Sequence, residues 1–181
     1  MGCCIETTNT GNGEDRGVQR QAGFAVGMDQ IDDDALDYAL SQSQGAASLR
    51  TKVSLRFKCQ NLINTDANSK SDPFCVLWQV DQSGRKQKIG MTEMIADNLN
   101  PEFVQPVVTN YFFEDQQNML VEVYDCDDAT QLNNLNKQDL VGFAEFPLAK
   151  VLSSIKNQID LELKTVRGTS AGKITIHGEE F

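Results

Sequence analysis

The chain has 181 residues, about one domain's worth, with 16 Lys plus Arg against 26 Asp plus Glu for a formal charge of −10. That acidic balance argues against nucleic acid as a partner, because phosphate binding needs clustered Lys and Arg. No apolar run approaches the roughly 20 residues of a membrane-spanning helix and the first residues lack the basic and apolar regions of a secretory signal, so a soluble, cytoplasmic protein is expected.

Residues 1–50 are rich in Gly, Gln, Asn, Thr and Asp and carry 3 basic against 8 acidic residues. Too little apolar surface is present to offset the entropy of ordering, so a mostly mobile acidic tail is expected. Within it, Leu36 and Leu40 lie four apart behind an acidic run suited to a helix N-terminus, which predicts a short helix near 34–41. Five cysteines, Cys3, Cys4, Cys59, Cys75 and Cys126, form no CxxC pair and are read as reduced thiols.

Residues 51–181 read as the folded domain. Val53, Leu55, Phe57 and Cys59 alternate with polar residues, the pattern of a strand with one buried face. Further β-type runs follow at Pro73 to Val80, Gln87 to Ile95, Glu102 to Asn110, Asn118 to Asp125, Leu140 to Pro147, Gln158 to Lys164 and Lys173 to His177. Leu148 to Ile155 is the stretch that suits a short helix. Eight short strands separated by turn signals predict an all-β fold, an eight-stranded antiparallel sandwich.

The aspartates fall at strand ends. Asp66 and Asp72 bracket a first loop; Asp125 and Asp127 open a second, which Asp139 closes. Any one of them is read most simply as a solvated or turn-capping side chain. Five carboxylates brought together repel one another, and the only basic residues in these loops are Lys70 and Lys137, so a bound cation resolves the repulsion. Oxygen donors suit Ca2+, which takes roughly six to eight oxygens in flexible geometry, better than Mg2+ or zinc. The Asn136 side chain and loop carbonyls supply neutral donors. An EF-hand over Asp125 to Asn136 fails, because Thr130 stands where Gly is needed and Asn136 where a bidentate Glu is needed.

The stretches Leu62-x-x-x-Asp66 … Ser71-Asp72-Pro73-Phe74, Asn100-Pro101-Glu102-Phe103 and Val123-Tyr124-Asp125-x-Asp127 … Asp139-Leu140-Val141-Gly142 resemble the calcium-dependent phospholipid-binding C2 domain, in particular the first C2 domain of copines. Met1-Gly2-Cys3-Cys4 and Asp34 to Leu40 resemble the start of plant (Bonzai) copines. The resemblance implies two or three Ca2+ ions on Asp66, Asp72, Asp125, Asp127 and Asp139, with Asn136 as the candidate sixth contributor, and the permuted, phospholipase-like strand order. It also implies anionic phospholipids such as phosphatidylserine as partners, target proteins as a further class, and recruitment to cytoplasmic membrane faces. A monomer is expected. Extra residues between Asp127 and Asp139 depart from the shorter C2 pattern, and the second C2 and von Willebrand A-like domains of copines are not in this sequence.

Three groups of residues are candidate membrane contacts. Leu132 and Leu135 either dip into the interface or pack within the loop; Arg85, Lys86 and Lys88 either meet headgroups or form a solvated hairpin. Gly2 is a candidate for myristoylation, and Cys3 and Cys4 for palmitoylation, although Glu6 stands where Ser or Thr is preferred. An enzyme is not expected: the sole histidine, His177, ends a strand, and Cys126 as a nucleophile is flanked by acids that raise its pKa. The rival function is a C2 fold that binds proteins without calcium.

Overall fold

Alternation of apolar and polar residues is realised in β1 (Arg50–Gln60), where Val53, Leu55, Phe57 and Cys59 are buried and Lys52 and Arg56 are exposed, while Ser54 is covered as well. The computed structural model describes residues 49–66 and 69–181. The predicted helix near 34–41 and the lipidation candidates Gly2, Cys3 and Cys4 lie outside the described residues.

Seven more strands follow: β2 (Pro73–Val80), β3 (Lys86–Met91), β4 (Val107–Phe112), β5 (Asn118–Asp125), β6 (Asp139–Pro147), β7 (Gln158–Lys164) and β8 (Ser170–Glu180). One helix, α1 (Leu148–Leu152), joins β6 to β7. All neighbouring strands are antiparallel, in the order β3-β2-β5-β6-β7-β8-β1-β4. Between β6 and β7 a single registered pair remains, Phe143 with Lys164, and there the sheet folds into two four-stranded layers. Val53, Leu55 and Phe57 from one layer and Leu77, Val121 and Val123 from the other share one apolar core.

Several boundaries differ from the sequence reading, among them β8, which runs from Ser170 to Glu180 where the sequence predicts Lys173 to His177. β4 begins at Val107 instead of Glu102, because Pro101 and Pro106 have no N–H to give a ladder; Glu102 makes only an isolated bridge to Lys58. β3 stops at Met91, where the Thr92 hydroxyl takes the Cys75 N–H at 2.9 Å and replaces a ladder bond. The helix closes at Leu152, before the left-handed residues Lys156 and Asn157. At the outermost strand β4, the buried Gln117 side chain accepts from the Phe112 N–H and donates to the Asn110 carbonyl, each at 2.9 Å.

A second apolar cluster lies on the other face of the β2–β5 ladder. Phe74 pairs in register with Tyr124, their rings stacked at 5.7 Å, and Val76 completes the buried set. An antiparallel layer commonly leaves one face to water. Here Leu132 and Leu135, from the connection between β5 and β6, pack on that face beside Trp78, Met91 and Leu140.

Candidate functional site: aspartates at one end of the sandwich

Register determines which carboxylates meet. Asp125, the last residue of β5, stands between Pro73 at the start of β2 and Asp139 at the start of β6. Three adjacent strand ends therefore place Asp72, Asp125 and Asp139 together.

Asp125 is buried, and both its oxygens are engaged. The Asp72 N–H donates to Oδ1 at 2.6 Å and the Thr65 hydroxyl donates to Oδ2. Asp72 in turn accepts the Asp97 N–H at 2.7 Å, and the Asp66 carboxylate accepts the Ser69 hydroxyl at 2.8 Å. Beneath this loop, the buried Ser71 hydroxyl accepts the Thr65 N–H at 3.1 Å and lies 2.9 Å from the Thr65 hydroxyl. Asn64 donates to the carbonyls of Asp66 and Ser69 and accepts the Ser71 N–H. Gly172 backs the start of the loop at φ +114°, where an added Cβ would lie 2.7 Å from the Asn61 carbonyl oxygen.

In the second loop, Asp127 is exposed and its carboxyl is pushed above the usual carboxylate range. Desolvation is the leading cause, followed by the charges of Asp139, Asp125 and Asp66; a main-chain hydrogen bond from Asp139 opposes them. Asp128 behaves oppositely: the Thr130 hydroxyl and N–H hold its carboxyl below the ordinary value while it caps the turn Ala129–Gln131. Asn136 is exposed on the turn Leu135–Lys137. Among the described residues, no group of three or more His, Cys, Asp or Glu is arranged to hold a metal ion. The donor set is nonetheless all oxygen and clustered by strand register, which fits a hard divalent cation in chemistry.

Leu132 and Leu135 are half-buried on the second apolar cluster. Of the basic trio, Arg85 pairs with Asp81 at 2.9 Å, Lys86 pairs with the buried Glu122 at 2.6 Å, and Lys88 reaches the Asn133 side chain at 3.4 Å. Glu122 also accepts the Tyr124 hydroxyl at 2.9 Å, which, after burial, raises the phenol further. Burial first, then the charge of Asp72, pushes the Cys126 thiol up, away from the thiolate a nucleophile needs. Sequence reasoning missed Asn64, Thr65, Ser71, Asp97 and Gln138, polar residues whose part depends on the hydrogen bonds they make across the loops.

The C2 domain family matches residues 50–163 of the chain. Copine-A of Dictyostelium discoideum is 38% identical over 131 residues, 72% of this chain and 21% of that protein. Protein BONZAI 1 of Arabidopsis thaliana is 30% identical over 191 aligned positions, covering 99% of this chain and 32% of that protein. The chain thus spans less than a third of the length of these relatives. Among solved structures, the paired C2 domains of extended synaptotagmin 2, calcium bound, superpose with a TM-score of 0.51 at 18% identity, covering 72% of this chain and 45% of that one. At that identity the likeness is one of fold. Among the described residues, no helix is long and apolar enough to cross a membrane.

Proposed function

Because the chain belongs to the C2 domain family and its domain is of the copine kind, we propose that it is a calcium-dependent phospholipid-binding module without catalytic activity of its own. The observation that carries this reading is the register that sets Asp125 between the start of β2 and Asp139, gathering carboxylates from both loops at one end. The calcium-bound state of extended synaptotagmin 2 agrees with it. We also assign the chain the permuted connectivity, with β8 lying between β7 and β1.

In this reading Asp66, Asp72, Asp125, Asp127 and Asp139 hold calcium, with Asn136 as an additional donor. Two or three Ca2+ ions would supply about four to six positive charges and open coordination positions for lipid phosphate. The residues themselves do the rest. Metal-free, the aspartate end repels an anionic surface; neutralised, it no longer does, so affinities for metal and membrane rise together by linkage. Leu132 and Leu135 present their exposed edges to the interface. Lys88, without a carboxylate partner among the described residues, is the cation of the trio best placed to meet headgroups. Acylation at Gly2, Cys3 and Cys4 would add a second attachment, read as a mass shift on the intact cellular protein; an unmodified mass removes it.

Co-sedimentation with phosphatidylserine vesicles across a calcium titration tests metal and membrane together. Wild type is expected to sediment as calcium rises, and Asp125→Asn with Asp127→Asn to stay in the supernatant. Retained calcium-driven sedimentation in that variant refutes the site. A second reading, calcium-independent protein binding, is favoured by Asp125, whose two oxygens already have protein donors. It is chosen if folded wild type gives neither heat with millimolar calcium nor a rise in melting temperature.

A further inference from the structure

Strand pairing fixes Asp125 and Asp139, but Asp127 lies two residues beyond the last paired residue of β5, in a connection that runs to residue 138. Something else must hold its backbone. Gln138, next to Asp139 and 7% exposed, does so. Its Oε1 accepts the N–H groups of Asp127 at 2.9 Å and Asp128 at 3.4 Å. Its Nε2 donates to the carbonyls of Asp128 and Gln131, both at 3.2 Å. A side-chain amide offers two lone pairs and two N–H donors, and here all four are used inside one loop. The Gln138 N–H also closes the turn Leu135–Lys137 on the Leu135 carbonyl at 3.3 Å.

We infer that Gln138 is a positioning residue for the aspartate site: its amide ties the outgoing strand end to the incoming one and keeps Asp127 beside Asp139 in the metal-free chain. Left untied, the two carboxylates would be driven apart by the mutual repulsion of like charges. A cation would then have to gather them, and the free energy of gathering would be subtracted from its affinity. Leu132 and Leu135, seated on the second apolar cluster, hold the middle of the same loop, so the ends are the part that depends on the amide.

The inference rests on the calcium reading, and the experiment separates the two. The full 181-residue chain is compared with Gln138→Met, close in size but unable to bond, and with Val151→Ala, a cavity in α1 at the far end of β6 from Asp139. In the metal-free proteins, amide exchange at Asp127 and Asp128 is expected to accelerate at least tenfold in Gln138→Met and to stay near wild type in Val151→Ala. Calcium affinity by calorimetry is expected to fall about tenfold in Gln138→Met, although every proposed ligand remains, and to be unchanged in Val151→Ala. Unchanged exchange at both amides, or calcium affinity within twofold of wild type, overturns the positioning role. Wild type that binds no calcium refutes the calcium reading instead, and the exchange measurement still decides whether Gln138 holds the Asp127 backbone.

Discussion

The two aspartate loops meet at one end of the sandwich but are held by opposite means. The first is fastened by short polar side chains: Asn64, Thr65 and Ser71 bond to one another and to the loop backbone around a buried hydroxyl. The second is fastened at its ends by Gln138 and in its middle by Leu132 and Leu135, which rest on the Phe74–Tyr124 stack. A polar knot is brittle, because hydrogen bonds hold only within narrow distances and angles. An apolar seat is forgiving, since its energy scales with area and tolerates small shifts. One end of the molecule thus joins a directional loop to a sliding one, and the buried Asp125 carboxylate connects them by accepting from Thr65 and Asp72 while leading into the second loop.

Removing the apolar seat should give the largest effect. Leu132→Ala with Leu135→Ala is expected to cost about 2 to 3 kcal/mol, given that both side chains are half-buried. The loss should appear as a lower melting temperature and a changed emission from Trp78, the single tryptophan, which packs on the same cluster. If amides of the first loop lose protection as much as those of the second, the two loops are not independently held. Next comes Ser71→Ala, expected to cost about 1 kcal/mol by removing the buried hydroxyl that accepts the Thr65 N–H and donates to Asn64 Oδ1. Its exchange signature should be confined to the first loop.

The smallest effect is a gain. In the folded chain the Asp127 carboxyl is raised, so the native state binds that proton more tightly than the unfolded state, and stability falls as pH rises through the carboxylate range. Without calcium, Asp127→Asn should therefore melt on the order of 2 °C higher than wild type at neutral pH, an exposed group contributing modestly. The gain should vanish below the carboxylate range, where wild type is protonated too. A constant gain across pH would trace it to something other than charge.

The sandwich was legible in the sequence because β1 alternates cleanly, and the boundaries of β2, β5 and β7 agree with their apolar runs. The meeting of Asp72, Asp125 and Asp139 was legible because Asp125 ends β5, Asp139 begins β6 and Asp72 precedes β2, whereas Asp66 and Asp127 lie farther from any strand. The covering of the outer face of β2 was not, since residues 126–138 carry no periodicity. A signal was present nonetheless: Pro73-Phe74-Cys75-Val76-Leu77 has no polar alternation, and all five residues are buried, as expected when both faces of a strand are covered. Gln138, Asn64 and Ser71 left no comparable trace. Their importance lies in the hydrogen-bond partners the fold brings to them, and composition assigns such residues to solvated turns by default.

The two outer strands of the sheet carry different protection. β3 bears Lys86 and Lys88 and a register shift against β2, charge and irregularity that discourage a foreign strand from docking. β4 reads Val107-Val108-Thr109-Asn110-Tyr111-Phe112, with no charge, a sequence suited to recruiting other chains. Gln117 stands in the way, its amide imitating the two main-chain bonds an incoming strand would offer to Asn110 and Phe112. A single side chain therefore acts as a sham neighbour, and losing it would leave this border open to fibril-like association between molecules.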